Sequence, residues 1–510
     1  MIFALTTQRF RKIAVFLILL AGVAAIIIVN QVSSADQDVL GADRSEFKIA
    51  MPSVAGSTAT SSWFCPGVPG QDENVKSEII VANPTQTPIT GTITWLSSDN
   101  PALSTTLIVD PLSRRVFDAT SGRKSKFFSV TVELDSGQAS VEQRIIHPAG
   151  NSLALCANEA SDRWFFADGF TGAESLFDVL LTNPFQDPTV VDLSFVTVDG
   201  KREPASLKGI VLPAQSVTGI SMGEQGARNE AVLAVSIRAT SGRFIAGKLQ
   251  HFLGRGRLGF TSALGSPATS RQWWFASGEK AEGVDEQLVV FNPTDTDQSV
   301  SIAFLTGSAE LLLREPLVLT IPAGRVTTLS TTNLPAITNG RYGILVSSIT
   351  SDFVTKNDDV SGEFVVVEQV VSRTSEKKTG TSVVLGAPAG SASRVWTLPT
   401  GVATGEVGSI VVANATSLDT KLRISTIGPA GAVPIDGLEQ VSLGSAAVIS
   451  IAIPQSAAEL QILVESEIEV VVQREVSRGN KLFGLSGVLA LPYRSSMFTE
   501  NKSGTKSGDK

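Results

Sequence analysis

Apolar and polar positions alternate in short runs along most of this chain. Val191, Leu193, Phe195 and Thr197 fall on one side of a run that ends at Asp199-Gly200. Val235, Ile237 and Ala239 form another run that ends at Ser241-Gly242. A period of two closed by glycine-bearing turns predicts half-buried antiparallel strands joined by hairpins. Reading outward from these runs, strands are expected at 164–167, 177–181, 191–197, 210–212, 217–220, 235–239 and 244–252. Seven short strands within about a hundred residues is the complement of a small two-sheet sandwich.

The same marks return along the chain. Trp164-Phe165-Phe166-Ala167-Asp168-Gly169 is followed by Asn183-Pro184, and Trp273-Trp274-Phe275-Ala276-Ser277-Gly278 by Asn292-Pro293. An earlier copy reads Trp63-Phe64-Cys65-Pro66-Gly67 with Asn83-Pro84, and a worn one reads Trp396-Thr397-Leu398-Pro399-Thr400-Gly401 with Asn414-Ala415. The Trp-to-Asn separations are 20, 19, 19 and 18 residues, which marks four copies of one unit. Pro111, Pro213 and Pro322 follow the asparagines at similar distances, and Gly444 takes that place in the fourth copy. The expected organisation is four β-sandwich repeats at 61–158, 162–266, 271–387 and 394–493. The fold class is therefore all-β, as tandem immunoglobulin-like antiparallel sandwiches. The alternative is a propeller-like closed array, although about 100 residues is long for one four-stranded blade of roughly 40–50.

The amino terminus breaks the alternation. Arg9, Arg11 and Lys12 precede an unbroken apolar run over residues 13–29. Seventeen helical residues span about 25 Å, near the lower limit for a bilayer core. Bases before the run place the amino terminus inside. Residues 1–35 are thus read as a cytoplasmic amino terminus and signal anchor, and the rest as an ectodomain at the cell membrane. Ser33-Ser34-Ala35 offers the alternative of cleavage near Ala35 and secretion. Residues 36–60 read as a flexible linker and 494–510 as a disordered tail.

Composition sharpens the compartment and narrows the partners. The formal charge is −8. Without residues 1–35 the balance is 38 bases against 49 acids, because that segment carries three bases and no acid. Such an acidic ectodomain is a poor match for nucleic acid, which calls for a basic face. Only two cysteines exist, Cys65 and Cys156, and both lie beyond the apolar segment. Outside the cytoplasm they are expected to pair and fasten the ends of the first repeat.

The Trp-Phe-Phe-Ala-Asp-Gly-Phe-Thr-Gly stretch, Leu-Leu-Thr-Asn-Pro and Leu-Pro-Ala-Gln-Ser resemble tandem repeats of secreted bacterial envelope proteins. The layout is similar to an actinobacterial family of unknown function with one amino-terminal membrane segment. The similarity covers about residues 60–493, and the fourth repeat departs from it at Thr397 and Ala415. The resemblance implies an envelope location and carries no activity.

Candidate chemistry is sparse. The only histidines, His147 and His251, lie in the closing strands of the first two repeats, one residue out of register with each other. They are read as edge-strand or surface residues rather than a repeated site. Gly254-Arg255-Gly256-Arg257-Leu258-Gly259 matches GxGxxG, but no helical pattern follows, so a glycine turn is the expectation. Asn357, Asp358, Asp359 and Glu363 cluster within an insertion over 352–363, yet their spacing is not that of a calcium loop. The repeated tryptophans are expected in cores; Trp95 is the better surface candidate, although its alternation with Ile93 in a strand still favours burial. No catalytic, cofactor-binding or metal site is expected. The chain reads as a non-catalytic envelope scaffold or protein-interaction protein. The alternative is an envelope glycan-binding protein acting beside a cell-wall enzyme.

Overall fold

The computed structural model describes residues 51–55, 60–307, 317–335, 337–349, 364–375, 378–478 and 484–494. The apolar run at 13–29, the carboxylate cluster at 352–363 and the tail after 494 lie outside the described residues. No helix among the described residues is long and apolar enough to cross a membrane. The fold is all-β, and the only helical turns described are three short 3₁₀ segments.

Each unit pairs two antiparallel sheets over its own core. In unit one, the inner sheet runs Gly150–Leu155, Ser140–His147, Lys76–Asn83, Ser113–Asp118. The facing sheet runs Ser61–Phe64, Phe127–Leu134, Ile89–Ser97, Leu103–Val109. The other units repeat this plan. In unit four one long strand, Gln461–Ser477, serves both sheets, pairing with Ser393–Leu398 through its first half and with Val407–Asn414 through its second.

The opening tryptophans are core residues. Trp63, Trp164, Trp273 and Trp396 are all fully buried. Burial of large apolar side chains stabilises by about 2–3 kcal/mol each, provided that the indole N–H finds a partner. It does: Trp164, Trp273 and Trp396 donate to the carbonyls of Phe244, Val365 and Val470 at 2.8–3.0 Å. Trp63 donates to Ser61 Oγ. Trp95 is buried as well, at 6% exposure, and donates to Asp118 O, as its alternation with Ile93 favours over the surface alternative. It belongs to an alternating strand whose inward face it shares with Ile93.

The asparagines prove to be more than turn formers. Asn183 Nδ2 donates to Asp187 O, Leu212 O and Pro213 O, while its Oδ1 accepts from Phe185 N. Asn83, Asn292 and Asn414 repeat this knot, and all four are fully buried. One side chain thereby satisfies carbonyls of a turn and of a distant strand end, which the sandwich would otherwise bury unpaired. In unit one the counterpart of Pro213 is Asp110, one residue before the proline that the sequence suggests.

The four units close on themselves. One strand near the end of each, Gly150–Leu155, Arg257–Leu264, Lys378–Leu385 and Ser486–Leu489, packs against its counterparts in the units before and after it. Unit four therefore meets unit one. Val54–Ala55, ahead of unit one, pairs in parallel with Leu491–Arg494 at the end of unit four and seals that junction. The axial strands share a pattern: Gly150, Gly259, Gly380 and Gly484 each stand two residues before a hydroxyl, Ser152, Thr261, Ser382 and Ser486. A leucine follows three residues later, at 155, 264, 385 and 489. Two of the glycines allow close approach: a Cβ at Gly484 would lie 2.4 Å from Asn151 N, and one at Gly150 3.1 Å from the Gly484 Cα. The hydroxyls fill the axis with small side chains, as where Ser262 N donates to Ser152 Oγ at 2.8 Å.

Candidate functional site at the seams between units

Three of the four seams hold buried ion pairs. Between units two and three, Lys248 Nζ lies 2.8 Å from Glu368 Oε1, with both side chains 1% exposed. The ammonium also donates to Asp168 O. Burial pushes the Glu368 carboxyl up, and the Lys248 charge opposes that rise. Between units four and one, Arg474 meets the fully buried Glu142 and donates to Thr400 O. Arg114 and Arg144 share Glu459 nearby. Between units three and four, Arg341 and Arg373 converge on Glu475 at 3.0 and 3.1 Å. Burial alone would raise that carboxyl, but the two guanidiniums outweigh it and hold Glu475 at about 2. Such pairs add little net stability over an apolar seam, yet they punish any displacement that leaves one charge alone. They specify which faces meet.

At the seam between units one and two a histidine pair stands beside apolar contacts of the kind that the other seams also make. Leu180, Val217, Leu249 and Phe260 of unit two join the core of unit one. On the same face of the unit-two sheet, His251 stands opposite Phe260 on one side and Leu176 on the other. His147, from the end of the unit-one strand Ser140–His147, packs on both rings. The His147 and His251 ring centroids are 5.0 Å apart, nearly perpendicular, and His147 lies 4.8 Å from Phe260. His147 Nδ1 accepts from Ala149 N at 3.1 Å, and its Nε2 faces Asp72 Oδ2 at 3.5 Å. Arg478 of unit four donates to His147 O and Pro148 O at 2.6 and 2.8 Å. Three units thus meet around this pair. Burial pushes both imidazoles below their usual range; Asp72 resists this at His147, and Arg478 adds to it.

The sequence reading of separate surface histidines is therefore corrected. His147 is 6% exposed, and the one-residue offset between the repeats does not keep the rings apart. Register arguments hold within one sheet, whereas these rings face each other across two. Among the described residues, no three His, Cys, Asp or Glu side chains are placed to hold a metal ion.

The remaining candidates are quickly placed. Cys65 and Cys156 form a disulfide closing 91 residues of chain, worth about 4–5 kcal/mol by the chain-entropy model. The GxGxxG stretch is a hairpin: Arg255 and Gly256 take positive φ at its tip, and the strand Arg257–Leu264 follows. No helix opens there to meet a phosphate. Arg257 instead turns inward to Asp168 and lies over the Phe170 ring. The seam between units one and two also carries an open cleft of about 400 Å³, lined by Lys126 and Phe127 of unit one and by Asp178, Ser206, Ser221 and Gln225 of unit two. Burial raises the Asp178 carboxyl, against the Ser221 hydrogen bond and Lys126.

A family of unknown function (DUF5719) matches residues 147–369, which span the end of unit one, unit two and most of unit three. No curated protein matches the chain. Among solved structures, the chain is similar to a crystal structure of Thermotoga maritima 1070 at 17% identity. That match covers 24% of this chain and 95% of the other, with a TM-score of 0.18.

Proposed function

We propose that this chain is a non-catalytic scaffold of the bacterial cell envelope, held at the membrane by residues 13–29. Its four immunoglobulin-like sandwiches form one ring-shaped body that presents loops to another envelope protein. The observation that carries this reading is closure of the ring through the strands at residues 54–55 and 493–494. Closure, with charged seams that dictate which faces meet, favours a rigid platform over a string of independent modules. On such a platform, recognition belongs to the loops. The paired cysteines fit an oxidising compartment outside the cytoplasm.

The second reading, a glycan-binding protein beside a cell-wall enzyme, is favoured by the cleft at the first seam. Its size falls in the range of small-ligand sites, and its lining mixes carboxyl, amide and hydroxyl groups with apolar side chains. Full-length protein incubated separately with cell-wall polysaccharide and with solubilised membrane proteins separates the two. The scaffold reading expects a stoichiometric protein partner from the membrane fraction. Retention by polysaccharide alone defeats it. Amino-terminal sequencing of protein recovered from cells tests the anchor, since a mature species lacking residues 1–35 rules it out.

A further inference from the structure

We propose that the His147–His251 contact is an acid-released latch, which holds units one, two and four together while both rings are neutral and parts when they take up protons. This goes beyond the scaffold reading, because it gives the ring a conformational response of its own. The chain spends both of its histidines on one contact between two units. The contact sits where the ring's closing unit also arrives, through Arg478. Beside it, Gly150 and Gly484 approach closely, and a Cβ at Gly484 would clash with Asn151 N at 2.4 Å.

The charges around the pair determine the sign of the response. The strand Ser140–His147 supplies His147, and the strand Ile245–Gly254 supplies His251. The strand Arg257–Leu264 offers the uncharged ring of Phe260. The loop ahead of Lys76–Asn83 brings Asp72, and the end of Gln461–Ser477 brings Arg478. With neutral rings the site holds one carboxylate and one guanidinium. Two further protons leave three positive charges facing Asp72 alone. That carboxylate is already engaged by Asn74, whose backbone and side-chain N–H groups both donate to Oδ1. Geometry adds to the effect: edge-on packing of two imidazoles at 5.0 Å is favourable for neutral rings and repulsive for two cations.

Linkage sets the direction. Both imidazoles are depressed in the folded ring, chiefly by burial, so the opened seam binds protons more readily than the closed one. The latch therefore holds fully above the ordinary histidine range and is lost as pH falls below about 6.5. Each histidine contributes up to about a tenfold rise in the seam-opening constant per pH unit below that point. Parting uncovers Phe260 and the edge of Gly150–Leu155.

Hydrogen exchange of the full-length protein at pH 7.5 and pH 5.0, corrected for intrinsic rates, tests this. Amides at 146–151 and 259–261 should lose protection at pH 5.0 by up to about 10-fold per pH unit for each histidine below 6.5. Amides at the seam between units three and four should keep theirs. His251→Gln, at the half-exposed position, should cut the seam's pH dependence by at least half on a logarithmic scale. The double variant His147→Gln/His251→Gln should abolish it. Unchanged protection of wild type at pH 5.0 overturns the latch. So does equal acid sensitivity in wild type and His251→Gln, or parallel loss at every seam.

Discussion

Replacing Lys248 with methionine isolates the effect of one buried charge on the ring. Lys248 and Glu368 are both 1% exposed and lie 2.8 Å apart across the seam between units two and three. Methionine keeps most of the stem's packing and removes the ammonium. Glu368 then retains only the donation from Asp168 N, at 2.5 Å. Stranding one partner of a buried pair costs about 3–5 kcal/mol, roughly a 150- to 5,000-fold rise in the opening constant of that seam. The loss should depend on pH. Burial already raises the Glu368 carboxyl, and the variant removes the Lys248 charge that opposes the rise. A carboxyl whose folded value is raised contributes stability that is full below its unfolded value and lost as pH rises through the folded value. The deficit should therefore be largest at pH 8 and shrink towards pH 4.5. Native-state hydrogen exchange of amides at 246–250 and 366–370 reads local opening without assuming that a ring of this size unfolds in one step. The double variant Lys248→Met/Glu368→Met should return to within about 1 kcal/mol of wild type, because an apolar pair of similar volume replaces the ions. A deficit below about 1 kcal/mol for Lys248→Met at pH 8, or one independent of pH, refutes the reasoning.

Two further outcomes follow from unit interiors. Glu286 is fully buried and accepts from Thr331 Oγ1, Tyr342 OH, Glu279 N and Gln369 Nε2. Burial, only partly offset by these bonds, pushes it up to about 7. Unit three should then lose about 3 kcal/mol as pH rises from 4.5 through 7 to 8, and Glu286→Gln should flatten that loss in pH-dependent thermal melts. Asn183→Ala removes three donations and one acceptance from a fully buried knot, and should cost unit two about 3–5 kcal/mol by denaturant titration. Asn183→Asp should be no milder, because its oxygens would face three carbonyls.

Local features of the fold were legible because each unit carries its own marks. Alternating runs ending in Asp199-Gly200 and Ser241-Gly242 correspond to real strands, Thr189–Thr197 and Ala234–Ser241. The tryptophans and asparagines that carry the Trp-to-Asn spacing are buried alike at all four places. The strand Arg257–Leu264 is not among the expected ones, because Gly254, Gly256 and Gly259 read as a turn without marking the axial strand behind it. Its signal was nonetheless present in the four-fold recurrence of glycine, a hydroxyl two residues on and leucine three further. The seam chemistry had no such local signature. Lys248 and Glu368 stand 120 residues apart, and Arg474 and Glu142 stand 332 apart. Neither charge differs by sequence alone from a solvated one on a strand. The two histidines met for the same reason: strand periodicity describes which face a residue takes within its own sheet, not which other sheet that face will cover.

Ring closure underlies the scaffold, the seams and the latch alike, and one disulfide tests it directly. Ala55 and Arg494 are partners in the parallel pairing that joins the two ends of the ring. Adjacent strands lie about 4.8 Å apart, within the span that a disulfide bridges. Ala55 is six residues from Ser61, so it can lie no more than about 20 Å from unit one. The only native cysteines are already bonded to each other. The variant Ala55→Cys/Arg494→Cys, oxidised at low protein concentration, should form an intramolecular bond in nearly every molecule, seen as a linked peptide by mass spectrometry. Two persistent free thiols, or bonds found only between molecules, would mean that units one and four lie apart and that the ring is open.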